Sequence, residues 1–243
     1  MRNKKRLDVV LCEQFPDLSR NQIASFIMQG KVTINGKTVL KAGTPVADDA
    51  VIACDTMQPK FVSRAGYKLE RALDHFAIDV IGFVALDAGI STGGFTDCLL
   101  QRGAVRVYGV DVGYGQVHDK IRQDQRVVLL ERTNLRYLEV LPEFVDIATL
   151  DLAFISVLKV MPAVIRVMKP QANLVVLIKP QFEAERHEVG KGGIVRDSAV
   201  HEKVKKILCE GVCSFGFICK GVVDSPILGM SGNKEFLGYF TRV

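Results

Sequence analysis

Three kinds of signal are missing from this sequence, and each absence excludes a class of protein. The six cysteines form no Cys-x-x-Cys pair and no histidine lies at metal-ligand spacing, so we expect the reduced core thiols of a cytoplasmic protein. No run of about 18 apolar residues occurs, which argues against a membrane span. Asp8 and Glu13 interrupt the apolar part of the basic N-terminal stretch, which argues against a signal peptide.

The composition that remains is that of a folded protein with an uneven charge. Hydrophobic residues make up 48% and charged residues 24% of the 243 positions, and this length suits one large domain or a small domain joined to a larger one. Residues 1–60 hold nine Lys and Arg against six Asp and Glu, a net charge of +3, whereas the remainder holds 23 against 21. This imbalance indicates an anionic partner for the N-terminal part.

The N-terminal part has the pattern of a small α+β module. Helical periodicity over 5–15 is followed by a second helix that begins at Ser19, a good N-cap, and stops at Gly30. Two short alternating strands then flank Asn35-Gly36, a dipeptide that accepts the positive φ angles of a tight hairpin turn. A further strand over 50–55 closes the module.

Basic and amide side chains cluster in this module. They suit an RNA phosphate backbone, although composition alone allows an ordinary solvated surface equally well, and no aromatic residues are arranged for stacking on bases. The order of elements over 5–55 resembles the S4 RNA-binding domain, in which the helix pair and the hairpin bind structured RNA. The candidate RNA-binding residues are Arg6, Arg20, Asn21, Lys31, Lys37 and Lys41. We therefore expect an S4-type domain over 1–58, a linker over 59–63 and a larger domain over 64–243.

The larger domain alternates strand and helix patterns. Apolar strands such as 83–89 and 172–180 alternate with amphipathic helices such as 64–76 and 155–169, the last with a kink at Pro162. This alternation predicts an α/β fold, a doubly wound and mostly parallel sheet covered by helices on both faces. Ligands of such sheets bind outside the carboxyl ends of the strands, where the strand order reverses.

A glycine-rich turn over 89–94 follows the first of these strands. A dinucleotide site requires Gly-x-Gly-x-x-Gly, but here Ser91 replaces the middle glycine and Asp87 stands at the strand tip. A carboxylate repels a pyrophosphate and attracts a cation, which favours S-adenosylmethionine over a nicotinamide cofactor. Asp111, at the end of the next strand, is placed to accept hydrogen bonds from ribose hydroxyls, unless it is an ordinary turn residue before Gly113.

Two further strands end in charged residues. Asp151 follows one apolar strand and Lys179 follows another, so the parallel arrangement places an ammonium and a carboxylate at the same edge of the sheet. Apolar walls disfavour a charged lysine and a neighbouring carboxylate favours it. A lysine in this balance can remove the proton of a weakly acidic hydroxyl, but a plain salt bridge at the sheet edge fits the spacing as well.

Seven motifs, in this order after an S4-type module, resemble the TlyA (hemolysin A) family. That family comprises S-adenosylmethionine-dependent ribosomal RNA 2′-O-methyltransferases with the FtsJ-like, Rossmann-like fold. The resemblance spans nearly the whole chain. The motifs are VSRAGYKLERAL, LDAGISTGGFTDCLL, GVDVGYGQVHDKIR, LDLAFISV, IKPQFE, GKGGIVRD and SPILGMSGNKEFL.

The resemblance implies a site and a substrate. It places a catalytic tetrad on Lys68, Asp151, Lys179 and Glu235. Lys68 and Glu235 follow from the resemblance alone, because periodicity gives no reason to select them. The candidate cofactor-binding residues are Asp87, Gly89, Ser91, Thr92, Gly93, Gly94, Phe95 and Asp111. We expect the acceptor to be a ribose 2′-hydroxyl of a cytidine in ribosomal RNA or a ribosomal subunit, with Lys179 as the base and no metal.

Other interpretations are compatible with parts of the sequence. A protein that binds RNA but has lost catalysis would keep the fold, a membrane-lytic hemolysin would fit the family's older name, and a dehydrogenase would fit the fold class. The intact tetrad argues against the first, and the missing membrane span and signal peptide argue against the second. The glycine-rich segment 182–196 is either a mobile loop over the cleft or an ordinary surface loop.

Overall fold

The chain consists of two compact units, Met1–Gln58 and Pro59–Val243. The computed structural model describes residues 5–16, 18–28, 30–47, 49–55, 60–229 and 231–243. The predicted linker therefore lies partly outside the described residues, and its later part needs correction. Phe61 is 1% exposed in the core of the second unit, and the backbone N–H of Val62 donates to Asp97 Oδ2 over 2.8 Å. Both residues belong to the second unit.

The first unit has the two helices and the hairpin that the sequence predicts. Its elements are β1 Lys5–Arg6, α1 Leu7–Gln14, α2 Arg20–Met28, β2 Val32–Ile34, β3 Lys37–Thr38, β4 Pro45–Val46 and β5 Ile52–Cys54. Ser19 caps α2 as predicted, because its Oγ accepts from the N–H of Gln22 while Gln22 Oε1 accepts from the N–H of Ser19. Asn35 and Gly36 have φ of 51° and 76° at the hairpin turn. The first helix begins two residues later than predicted, because Lys5 and Arg6 pair with β4.

The second unit alternates strands and helices along the chain. Its strands are β6 Val84–Ala88, β7 Arg106–Val110, β8 Val127–Leu130, β9 Val145–Leu150, β10 Met168–Ile178, β11 Phe217–Asp224 and β12 Phe236–Arg242. Its helices are α3 Ala65–His75, α4 Gly94–Gln101, α5 Asp119–Arg122, α6 Met161–Val167, α7 Pro180–Glu183 and α8 Ser198–Cys213. None of the helices in the described part of the chain is both long and apolar enough to cross a membrane.

The seven strands form one sheet in the order β11-β12-β10-β9-β6-β7-β8. The pairs from β10 to β8 are parallel, whereas β12 runs antiparallel to both β10 and β11. In the sheet, β7 and β8 are added in order on one side of β6, and β9 is then added on the opposite side of β6. The strand order therefore reverses between β6 and β9, and a ligand site is expected at their carboxyl ends.

Helices cover both faces of this sheet. Leu86 and Val176 face a core that includes Val164 of α6 and Leu208 of α8, and the alternate strand residues face a second core with Leu69 of α3 and other helical residues. The predicted doubly wound α/β fold is confirmed.

Two predicted elements of the second unit need correction. The helix predicted over 155–169 is shorter, Met161–Val167, and Pro162 lies in its first turn without kinking it, because a proline at that place removes no helical hydrogen bond. Strand β10 begins four residues before the predicted strand, with a register shift between Met168 and Asn173.

Candidate functional site

A cavity of about 1040 Å³ opens at the carboxyl ends of the parallel strands. Its wall includes the glycine-rich turn after β6, the residues after β7 and β9, and side chains from α3, α7 and the segment before β12. The predicted residues on this wall are Lys68, Gly89, Ser91, Thr92, Gly94, Phe95, Asp111, Asp151, Lys179 and Glu235. The structure thus brings the four predicted catalytic residues to one cavity.

The four charged side chains form two ion pairs. Lys179 Nζ lies 2.6 Å from Asp151 Oδ1, with the two side chains 13% and 16% exposed. Lys68 Nζ donates to Glu235 Oε2 over 2.6 Å, with the side chains 8% and 3% exposed. The first pair can therefore meet a ligand directly, whereas the second is nearly removed from solvent. In the described part of the chain, no group of three or more His, Cys, Asp or Glu side chains could hold a metal ion.

The glycine-rich turn is held against the residues that follow β7 and β9. The Ser91 N–H donates to Asp111 Oδ2, and the Gly113 N–H donates to Asp111 Oδ1, each over 2.8 Å. Gly89 has φ of +85°, and a Cβ there would lie 2.4 Å from the carbonyl oxygen of Asp151. The turn can therefore approach Asp151 only because residue 89 is glycine. Gly93, also predicted to bind the cofactor, does not line the cavity. It packs against Ile121, and a Cβ on residue 93 would lie 3.0 Å from the Ile121 side chain.

Replacing Gly89 by alanine is expected to disrupt this contact. The variant should lose about 3 kcal/mol of unfolding free energy, because alanine at this φ is strained and its Cβ clashes with the Asp151 carbonyl. Its affinity for S-adenosylmethionine, the cofactor that the sequence predicts, should fall at least tenfold. Gly82→Ala is the matched control, since Gly82 also has a positive φ but a Cβ there would meet nothing within 4 Å. Denaturant unfolding and calorimetry measure both quantities. Equal losses in the two variants would show that the contact with Asp151 is unimportant.

Asp87 lies at the end of β6, as predicted, but its side chain is not on the cavity wall, where the sequence predicts a cofactor-binding residue. Its side chain is fully buried beneath the turn, where Oδ2 accepts from Thr96 Oγ1 over 2.6 Å and Oδ1 accepts from Thr149 Oγ1 over 3.3 Å. Burial raises the pKa of Asp87 from 3.8 to about 7; the Thr96 hydrogen bond acts against this shift, and the charge of Asp151 adds to it. Asp87 therefore connects α4 to β9 and is not part of the cavity wall.

The raised pKa of Asp87 predicts a specific pH dependence of stability. Between pH 4 and pH 7 the folded protein retains a proton that the unfolded chain has lost, so stability falls as the pH rises through this window. An asparagine side chain has no such proton. In Asp87→Asn we expect the unfolding free energy, relative to the unaltered protein, to rise by about 3 kcal/mol between pH 5 and pH 8. Urea titrations at both pH values test this, and a constant difference would contradict it.

Asn233 is a site residue that the sequence does not reveal. It is 1% exposed, its Oδ1 accepts from the Val195 N–H over 2.9 Å, and its Nδ2 donates to the Gly193 carbonyl over 2.8 Å. Because Gly192 and Gly193 lie on the cavity wall, Asn233 joins the predicted loop to the segment that carries Glu235. Asn233 belongs to the motif SPILGMSGNKEFL, but a buried asparagine has no periodic pattern that would select it as a site residue.

Phe154 is a second site residue that the sequence does not single out. Its side chain is 91% exposed on the cavity wall, and its φ is +63°, a strained angle for a bulky residue. The ring centroid lies 5.1 Å from that of Phe182. A large apolar side chain held in solvent at such an angle is typical of a ligand-binding position.

The predicted RNA-binding residues of the first unit are mostly exposed. Arg6, Arg20, Asn21, Lys37 and Lys41 are exposed, and Lys31 is half-buried with its Nζ 5.2 Å from the centroid of the Phe26 ring. Two of them, Arg6 and Arg20, converge on the buried carboxylate of Asp8. All six cysteines of the chain are free, Cys98 is buried, and Cys12, Cys54, Cys209 and Cys219 are partly buried against the hydrophobic cores. The prediction of core thiols is therefore confirmed fully for Cys98 and in part for these four.

Comparisons with known proteins agree with both units. Residues 61–242 match the family model described as FtsJ-like methyltransferase, and residues 5–52 match the S4 domain. The chain is 42% identical to the 16S/23S rRNA (cytidine-2′-O)-methyltransferase TlyA of Mycobacterium tuberculosis, over 97% of this chain and 89% of the relative. It is 39% identical to hemolysin A of Brachyspira hyodysenteriae, over 97% and 99%. A solved structure from Streptococcus thermophilus, provisionally called a hemolysin, has a TM-score of 0.77 at 39% identity and covers 100% of this chain and 90% of that one.

Proposed function

Because this chain belongs to the FtsJ-like methyltransferase family and carries an S4 domain, we propose that it methylates the ribose 2′-hydroxyl of a cytidine in ribosomal RNA. The protein is an S-adenosylmethionine-dependent methyltransferase. The observation that carries the proposal is the Lys179–Asp151 pair, 2.6 Å apart and partly exposed on the cavity wall. We place the reaction in the cytoplasm, where ribosomal subunits are assembled.

The residues at the carboxyl edge of the sheet fit the methyl donor. The cavity of about 1040 Å³ is large enough for a ligand of this size. Gly89, which approaches the Asp151 carbonyl closely, adds no side chain to the wall at that point. Asp111 is fixed by two backbone N–H groups, and its remaining lone pairs can accept from ribose hydroxyls. When bound, S-adenosylmethionine supplies an electrophilic methyl group on a sulfonium.

Lys179 is assigned as the general base. Once its ammonium has lost a proton to solvent, the Lys179 Nζ would accept the proton of the 2′-hydroxyl, and bound S-adenosylmethionine would supply the methyl group that the ribose oxygen receives. Asp151 Oδ1, at 2.6 Å, orients the Nζ and stabilises the ammonium that results. Glu235 Oε2 holds the ammonium of Lys68 at the cavity wall, so this buried pair borders the site without adding a net charge to it.

The aromatic residues at the cavity fit a nucleotide substrate. An exposed ring such as that of Phe154, with Phe182 beside it, is a surface on which an unstacked base can lie. The basic first unit supplies contacts to the phosphate backbone, which are independent of sequence. The two units then have separate tasks, since the first binds RNA and the second modifies one ribose.

The direct test is methyl transfer to ribosomal subunits. Purified protein is incubated with S-adenosylmethionine labelled in the methyl group and with isolated small or large bacterial subunits that lack the modification. We expect label in one or a few cytidines, identified by mass spectrometry of nucleosides and by resistance of the adjacent phosphodiester to alkali. Label on a base, or no transfer by a protein that binds S-adenosylmethionine, would contradict the proposal.

A further inference from the structure

We propose that Asp8 is a positioning residue for RNA binding, which fixes the guanidinium groups of Arg6 and Arg20 as one site for the phosphate backbone of RNA. The inference rests on the proposed function in that it takes RNA as the partner. It adds a residue that is acidic and buried, and therefore of the wrong charge to be chosen as an RNA contact.

The geometry around Asp8 is that of a carboxylate shared by two arginines. Arg6 donates from Nε to Oδ1 over 2.9 Å and from Nη2 to Oδ2 over 3.0 Å. Arg20 donates to Oδ2 from Nη2 over 2.9 Å and from Nε over 3.3 Å. The N–H of Val9 donates to Oδ1 over 3.1 Å. Asp8 is 3% exposed, and the hydrogen bond from Arg6, followed by that from Arg20, holds the pKa of its carboxyl well below the usual range.

The two arginines remain available to a ligand. Their side chains are 57% and 64% exposed, although the carboxylate between them is buried. Each guanidinium uses Nε and Nη2 towards Asp8, so the donors of Nη1 are directed to neither oxygen of that carboxylate. A guanidinium presents its donors as a planar fork that matches phosphate oxygens. Arg6 and Arg20 thus present two guanidinium groups, held next to each other by Asp8, to the phosphate oxygens of RNA.

The backbone fixes the position of Asp8 itself. The N–H of Leu7 donates to the carbonyl of Thr44, and the N–H of Asp8 donates to the carbonyl of Ala42. Arg20 reaches the carboxylate from α2, whereas Arg6 and Asp8 come from the start of α1. Side chains from two helix starts therefore meet at one carboxylate, whose backbone is held by a third segment, 42–44. Without the carboxylate the two cations would repel each other. Holding long side chains in place before binding reduces the entropy lost when RNA binds.

The proposal makes a prediction opposite in sign to a simple charge argument. If only net charge mattered, removing the negative charge of Asp8 from a basic surface would strengthen binding to RNA. If Asp8 acts by positioning, Asp8→Asn weakens binding, because the amide has no negative charge and its NH2 group replaces one of the two oxygens that accept from Arg6. The sign of the change separates the two explanations.

The test measures binding of the full chain to isolated small and large bacterial ribosomal subunits over a range of KCl concentrations. For Asp8→Asn we expect affinity about tenfold weaker and a slope of log affinity against log salt that is smaller by about one. Glu13→Gln is the matched control, because Glu13 lies on the same helix and its pair with Lys5 is exposed on both sides. That variant should bind as well as, or better than, the unaltered protein.

A further pair of variants distinguishes positioning from a merely structural role. In an Arg6→Gln/Arg20→Gln background, Asp8→Asn should change RNA affinity less than twofold, since there are no guanidinium groups left to position. If Asp8→Asn does not fold, Arg6→Lys/Arg20→Lys keeps every charge and should still weaken binding about tenfold.

Three results would overturn the inference. These are unchanged or tighter binding by Asp8→Asn, an undiminished effect of Asp8→Asn in the background without the arginines, or full affinity of the double lysine variant. Each leaves the methyl-transfer assay unaffected, so the proposed function would stand. If the unaltered protein bound neither subunit, both proposals would be wrong.

Discussion

Lys179→Met is expected to reduce the rate of methyl transfer roughly a thousandfold and to leave the affinity for S-adenosylmethionine within about threefold. Methionine keeps much of the length of the side chain but cannot accept a proton. Asp151 loses its partner at 2.6 Å, but its side chain is 16% exposed, so water can solvate the carboxylate and the fold is retained. Single-turnover transfer to ribosomal subunits measures the first quantity, and calorimetry measures the second.

Lys169→Met is the matched control for this experiment. Lys169 lies on the same strand, β10, and also forms an ion pair, with Nζ 2.7 Å from Asp146 Oδ1. Its side chain is 46% exposed, and it is not on the cavity wall. The control should transfer methyl groups at the normal rate. A near-normal rate in Lys179→Met would show that another group accepts the proton.

Glu235→Leu is expected to lower the free energy of unfolding by about 3–5 kcal/mol, because it leaves the buried ammonium of Lys68 without a counter-charge. The side chains of Lys68 and Glu235 are only 8% and 3% exposed, so water cannot replace the lost partner. Denaturant unfolding followed by circular dichroism gives the difference directly. A loss below about 1 kcal/mol is what an exposed pair would show, and it would contradict the burial of this one.

The double variant Lys68→Met/Glu235→Leu separates stability from chemistry. Replacing both members of a buried pair by apolar residues of similar size is often neutral for stability. We therefore expect the double variant to regain most of the lost unfolding free energy and to remain inactive in methyl transfer. Recovery of activity together with stability would show that the pair has a structural role only.

The sequence predicts most of the fold because its apolar periodicity is strong in the second unit. The apolar strand at 172–178 is predicted correctly. The start of β10 was concealed because Lys169 and Gln171 are polar and Pro170 cannot donate a hydrogen bond to a neighbouring strand. Gln171 has φ of +63° next to the register shift. Such an irregularity depends on the neighbouring strand, which local pattern does not describe.

The candidate site was predictable only in part, for a related reason. Asp151 and Lys179 follow apolar strands and could be selected from pattern. Lys68 and Glu235 are separated by 167 positions, and only the family resemblance connected them. The position of Asp87 at the end of β6 was predicted correctly, but its burial was not. Period-two alternation indicates which face of the strand a side chain is on, and it does not indicate whether the following turn covers that side chain.

The position of β12 has a consequence for how the enzyme becomes active as it folds. This strand follows β11 in the chain, yet it lies between β10 and β11 in the sheet. Strand β11 therefore has no neighbour to pair with until β12 has inserted, and Glu235 immediately precedes β12. A chain in which β12 has not paired with β10 thus lacks the edge of the sheet formed by β12 and β11, and also the counter-charge for Lys68, so activity requires this pairing.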